Sequence, residues 1–173
     1  FTRQGLTLTI TGRNVGDRVA PSCCGWHPYF RLGARGIDRL ELHVPARTAI
    51  RTDDALIPLE GLRAFQPIAE DDRPTFDSPS VIGDAVIDAA YTDLTPYVDG
   101  TVRSRLRAPL TGCTITVWQT SGLMHVFTGD TLDREPRTSI ALESVELMTD
   151  AFNRPDGQEA LVLAPGEERT FIC

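Results

Sequence analysis

Apolar residues in this chain recur at every second position. Leu6, Leu8 and Ile10 alternate with Thr7, Thr9 and Thr11, and Leu40, Leu42 and Val44 with Arg39, Glu41 and His43. Val102 and Leu106 alternate with Arg103, Arg105 and Arg107, and Ile115 and Val117 with Thr114 and Thr116. Successive side chains of a strand point to opposite faces of its sheet, so each pattern reads as a half-buried strand. Further strands are expected near 123–128, 138–143, 159–163 and 168–172. Turn signals punctuate them at Gly12-Arg13-Asn14, Pro45, Gly61, Asp99-Gly100, Gly129-Asp130, Pro155-Asp156-Gly157 and Pro165-Gly166. Residues 45–95 are rich in Pro and Asp and read as loop with occasional strand. No segment carries a sustained helical stripe. Short strands at regular spacing predict an all-β chain, an antiparallel sandwich or barrel.

A chain of 173 residues is expected to form a single domain over residues 1–173. Such a chain buries roughly 70% of the surface its unfolded form exposes. The formal net charge of -7 offers no basic patch, so neither nucleic acid nor an anionic membrane is expected as a partner. A neutral small molecule such as a sugar is compatible with this balance. No run of apolar residues reaches the length of a membrane-spanning helix. Cys23 and Cys24 are adjacent and, with Cys113 and Cys173, fit no zinc spacing. They read as free thiols of a reducing, cytoplasmic compartment. The chain starts at Phe1, and Leu6 already lies in a strand pattern. This reads as a piece of a longer protein, with a removed signal peptide as an open alternative. The oligomeric state does not follow from the sequence.

Two residues far apart in sequence carry most of the chemical signal. Ile140 and Leu142 form the apolar face of their strand, so Glu143 points to the opposite face with Ala141 and Ser139. Small residues beside a carboxylate leave room for a ligand. His27 follows Gly25-Trp26 and precedes Pro28, which biases it toward an extended backbone. Trp26, Tyr29 and Phe30 flank it with the aromatic faces that sugar sites commonly offer. An imidazole and a carboxylate together could move protons on and off a neutral substrate without a metal or nucleophile. On pattern alone the plain alternatives stand: a solvent-facing glutamate and a hydrogen-bonded histidine in an aromatic core. His43 alternates with Leu42 and Val44 and reads as facing water. His125, between Met124 and Val126, reads either as lining a pocket or as satisfied in the core. Three histidines supply too few ligands to suggest a metal site.

Several segments resemble, in order, those of the aldose 1-epimerase (mutarotase) family. Leu6 to Asn14 is similar to the strand leading into the first motif. His27-Pro28-Tyr29-Phe30-Arg31-Leu32 resembles the family's His-x-Tyr-Phe-x-Leu, and Ile57-Pro58 with Gly61 resembles its Ile-Pro-x-Gly turn. Asp88-Ala89-Ala90-Tyr91 is similar to an Asp-x-x-Phe segment, and Val126-Phe127-Thr128-Gly129 to a strand ending in an aromatic-Thr step. Ala141-Leu142-Glu143-Ser144 resembles the Leu-Glu-Pro segment, with Ser144 in place of the proline. Asp150-Ala151-Phe152-Asn153 and Pro165-Gly166-Glu167 are similar to the two closing segments.

The resemblance implies a galactose mutarotase-like (supersandwich) β-sandwich lacking its N-terminal strands, since the family's domain is nearly twice this long. That first half contributes an arginine and a further histidine to the sugar. The resemblance also implies interconversion of the α and β anomers of a free aldohexose such as glucose or galactose, with no cofactor. His27 would be the catalytic acid, Glu143 the catalytic base and Asp88 a ligand to sugar hydroxyls, with Trp26, Tyr29 and Phe30 shaping the pocket. Two alternatives remain beside it. One is a non-catalytic carbohydrate-binding sandwich. The other is an epimerase of hexose 6-phosphates, for which Arg103, Arg105 and Arg107 could form a phosphate clamp.

Overall fold

The computed structural model describes residues 5–33, 36–71, 73–155 and 162–173. Its strands are antiparallel and lie in two main sheets. The larger has seven strands. Its path runs from β3 (Gly25–Trp26) through β13 (Ile140–Val145), β12 (Leu123–Phe127), β9 (Asp88–Thr92) and β6 (Thr48–Ile50) to β7 (Phe65–Pro67), and β4 (Tyr29–Phe30) also pairs with β13. The smaller sheet has the order β11 (Thr114–Gln119), β10 (Val102–Arg107), β5 (Glu41–His43), β8 (Ser80–Val81). Two-stranded ribbons join β1 (Thr9–Arg13) to β15 (Glu168–Ile172), and β14 (Val162–Leu163) to β2 (Ala20–Pro21).

The alternating residues explain how the main sheets meet. Leu42, Leu106 and Val117 project from the smaller sheet into one buried cluster with Ala89, Tyr91, Met124, Val126, Ile140 and Leu142 from the larger. Each buried aliphatic side chain in such a layer contributes about 1.5–3 kcal/mol. The arrangement is a β-sandwich. Period two then sends the intervening residues of β9, β12 and β13 to the far face of the larger sheet. Asp88, Ala90, His125, Phe127, Glu143 and Val145 line one cavity there. A small second cluster of Ile50, Ala90 and Leu123, with Val145 and Met148 packed on it, closes one side.

Three sequence expectations change. The first strand is Thr9–Arg13, displaced from the Leu6–Ile10 pattern, and Gly12 pairs with Arg169 inside it. A distant strand, β15, selects those bounds, and the chain leaves the ribbon only at Asn14. There the buried Asn14 amide donates to the carbonyls of Arg18 and Leu163. Residues 45–95, read as mainly loop, supply β6 and β9 at the middle of the larger sheet. Thr48-Ala49-Ile50 and Ala89-Ala90-Tyr91 are buried throughout, so neither shows alternation. His43, read as facing water, is half buried opposite Arg105. Of the expected strand at 159–163, Val162 and Leu163 form β14, while 159–161 fall outside the described residues, as does most of the Pro155-Asp156-Gly157 turn. All four cysteines are free.

Candidate active site

Strand register brings the site together. In the ladder between β12 and β13, His125 stands directly opposite Glu143, and on its other side His125 pairs with Ala90 of β9. Phe127 is registered against both Ala141 and Asp88. From the edge of the sheet, β3 and β4 deliver His27, because Gly25 pairs with Val145 and Tyr29 with Ala141 on either side of it. Five strands thus place two imidazoles, two carboxylates and a phenol around one cavity of about 510 Å³. That volume lies within the usual range for a small-molecule site.

His27 Nε2 lies 3.1 Å from Glu143 Oε1, with the histidine side chain 54% exposed and the glutamate 11%. The imidazole stacks on Tyr29, with ring centroids 5.2 Å apart and planes at 23°. Phe127 meets Tyr29 edge-on at 6.5 Å. Across the cavity, His125 Nε2 lies 2.8 Å from Asp88 Oδ1. Burial pushes the Glu143 carboxyl above the ordinary glutamate range; the charges of His125 and His27 counteract this, and that of Asp88 adds to it. Burial also raises the Tyr29 phenol, aided by Glu143 and Asp88. A carboxylate of raised basicity against an imidazole can accept a proton while its neighbour delivers one. Among the described residues no group of three or more His, Cys, Asp or Glu is placed to hold a metal ion.

A sequence model of the family described as Aldose 1-epimerase matches residues 1–173. The chain belongs to the aldose 1-epimerase family. Among solved structures, it superimposes on a candidate aldose 1-epimerase from Escherichia coli K12 with TM-score 0.72 and 22% identity, over 96% of this chain and 53% of that one. A GalM/aldose epimerase homologue from C. elegans gives TM-score 0.76 at 16% identity, over 96% and 54%. A galactose mutarotase-like protein from Clostridium acetobutylicum gives 0.76 at 12%, over 98% and 51%. Comparison with curated proteins returns no match. The fold is therefore the galactose mutarotase-like sandwich, and the chain spans about half the length of these relatives.

Within this family member, His27, Glu143, Asp88 and Tyr29 converge on the cavity. Trp26 and Phe30 do not line it. They meet each other edge-on at 6.2 Å, and Phe30 packs against the main core. The reason is again period two: Gly25, His27 and Tyr29 share one face, Trp26 and Phe30 the other. That alternation was legible across Pro28. Two of the family-like segments pack against each other, since Arg154 Nη1, just after Asp150–Asn153, donates to the carbonyl of Leu59 at 2.7 Å. Arg103, Arg105 and Arg107 lie on β10, outside the cavity lining. Arg105 donates to the Tyr97 hydroxyl at 2.6 Å, Arg107 pairs with Glu41 at 2.8 Å, and Arg103 pairs with Asp99. His125, left open between pocket and core, lines the cavity with Cys23, Cys24, Phe127 and Met148, none of which the sequence assigned to the site. The shared parity of His125 and Phe127 was visible in sequence; their register with Glu143 was not. No helix among the described residues is long and apolar enough to cross a membrane.

Proposed function

We propose that this protein serves the interconversion of α and β anomers of a free aldohexose, glucose or galactose, by acid–base ring opening. The observation that carries this reading is the contact of His27 with Glu143 at the wall of an aromatic-edged cavity. Glu143, as carboxylate, takes the proton of the C1 hydroxyl. The electron pair of that O–H bond forms the C1 carbonyl, and the bond from C1 to the ring oxygen breaks. His27, as imidazolium, gives its proton to the departing ring oxygen. The open aldehyde turns about the C1–C2 bond, and closure on the other face reverses both transfers. The forward step needs the two groups together, as imidazolium and carboxylate, and they stand 3.1 Å apart. Asp88 accepts hydrogen bonds from sugar hydroxyls, and the ring of Tyr29 offers an apolar face to the sugar's C–H groups. The transfers need no metal or nucleophile, since both groups act on protons alone.

The test is polarimetric mutarotation of freshly dissolved α-D-glucose and α-D-galactose, with this chain and with Glu143→Gln. Acceleration over buffer that is lost in the variant is the expected result. Sugar binding by a folded sample with no acceleration would point to a binding sandwich, and stronger competition by a hexose 6-phosphate than by free sugar would point to the phosphorylated substrate.

A further inference from the structure

We propose that His125 is a positioning residue for the proposed base: its imidazolium, oriented by Asp88, holds Glu143 in the carboxylate form. This rests on the reading of Glu143 as the proton acceptor.

The geometry comes first. His125 and Glu143 face each other across the β12–β13 ladder, on the cavity face of the sheet. Residues directly opposite in an antiparallel pair have Cβ atoms about 5 Å apart, so a charge on the ring acts on the carboxylate through the cavity. Asp88, at the start of β9, contacts Nε2 of the same ring at 2.8 Å. That contact fixes the ring. Glu143 thus lies between two imidazoles, His27 from the sheet edge and His125 from the central strand. The titratable groups around the cavity are His27, Tyr29, Cys23, Cys24, Asp88 and His125. Of these, His125 and His27 pull the Glu143 carboxyl down and Asp88 pushes it up, against burial that raises it most.

The two histidines have different tasks. His27 is exposed toward the cavity mouth and gives up its proton in each turnover. His125 contacts the Asp88 carboxylate and takes no part in the proton transfers. In the acid range where carboxylates titrate, an imidazole is charged. A second charge beside Glu143 that takes no part in the transfers favours the carboxylate at the start of each turnover, when Glu143 must be ionised to accept the C1-hydroxyl proton.

The test compares His125→Gln with the parent chain. Glutamine keeps a donor for Asp88 and removes the charge. The Glu143 carboxyl is followed by carbon NMR across a pH titration, with Glu143→Gln assigning the signal. The expected result is a rise in Glu143 proton affinity of about tenfold. In mutarotation the acid limb of the rate moves to higher pH in His125→Gln, while the rate on the plateau changes less. A folded His125→Gln protein whose Glu143 titration matches the parent would overturn the proposal. The titration is read without turnover, so an inactive parent chain would count against the epimerase reading and leave this result standing. If His125→Gln does not fold, His125→Asn under the same titration decides the question by the same criterion.

Discussion

Gly25 and Val145 lie so close that no side chain fits between them. A Cβ placed on Gly25 would stand 2.7 Å from Val145 Cγ1 and 3.1 Å from the Ser144 carbonyl oxygen and Val145 Cα. This contact seats the short strand β3 against β13, and β3 leads directly into His27. Gly25→Ala should therefore push the edge strand away and shift His27 from Glu143. The expected cost is about 1–3 kcal/mol of stability, as for other overpacked sites. Denaturant unfolding measures that loss, and mutarotation should fall by more than the loss of folded protein explains. Unchanged stability and rate would show that the edge is free to move.

Glu143 costs the fold something at neutral pH. Its folded-state carboxyl is raised above the ordinary range, chiefly by burial. A group raised in this way contributes stability that is full below its unfolded value and lost as pH rises through the folded one. Glu143→Gln has no charge to bury, so it should be more stable than the parent at about pH 7 and lose that advantage toward about pH 4. Paired thermal melts at the two pH values check the sign.

The proposed reaction needs Glu143 ionised and His27 protonated at once. Its rate should trace a bell in pH, with apparent constants that belong to the pair. The acid limb should lie above the ordinary glutamate value of about 4.3. Below that limb Glu143 takes up a proton and the rate falls; above the second limb His27 gives up its proton and the rate falls again. His27→Gln should lower the rate by about 10²–10⁴-fold and flatten the alkaline limb. A profile that stays flat over both limbs in the parent would refute the pair.

Arg137 ties the β12–β13 connection to the rest of the sandwich. Its guanidinium donates to Asp38 at 3.0 Å, Asp130 at 2.6 Å, and the carbonyls of Ala85 at 3.0 Å and Gly83 at 2.7 Å. Asp88 follows shortly after those carbonyls in the chain, so the same clamp steadies the start of β9. Arg137→Met should cost about 2–3 kcal/mol by stranding charge-assisted bonds, measurable as a fall in the urea midpoint.

Cys24, at the cavity, should differ in reactivity from the exposed Cys113. Burial, and then the hydrogen bond to the Glu146 carboxylate, push the Cys24 thiol up to about 12. At about pH 8 only about one molecule in ten thousand carries that thiolate. Brief alkylation at that pH, read by peptide mass spectrometry, should label the exposed Cys113 and spare Cys24.

Period two is a local property, and the chain carried it openly. The alternation of β10 and β11 specified half-buried strands, and with them an all-β sandwich. Period two also placed Glu143 opposite Ile140 and Leu142, and carried across Pro28 it separates His27 and Tyr29 from Trp26 and Phe30. Motif order along the chain pointed to the family. What the pattern could not carry was partnership. Strands β6 and β9 are buried on both faces, so their residues do not alternate, and only their neighbours in the sheet reveal them as central. Asp88 became part of the site because β9 lies beside β12, and His125 because the β12–β13 register sets it against Glu143. Register and strand order are decided by hydrogen-bonded ladders and side-chain packing between segments distant in sequence. A one-residue slip in either ladder would keep every local pattern intact and send His125 or Glu143 to the wrong face.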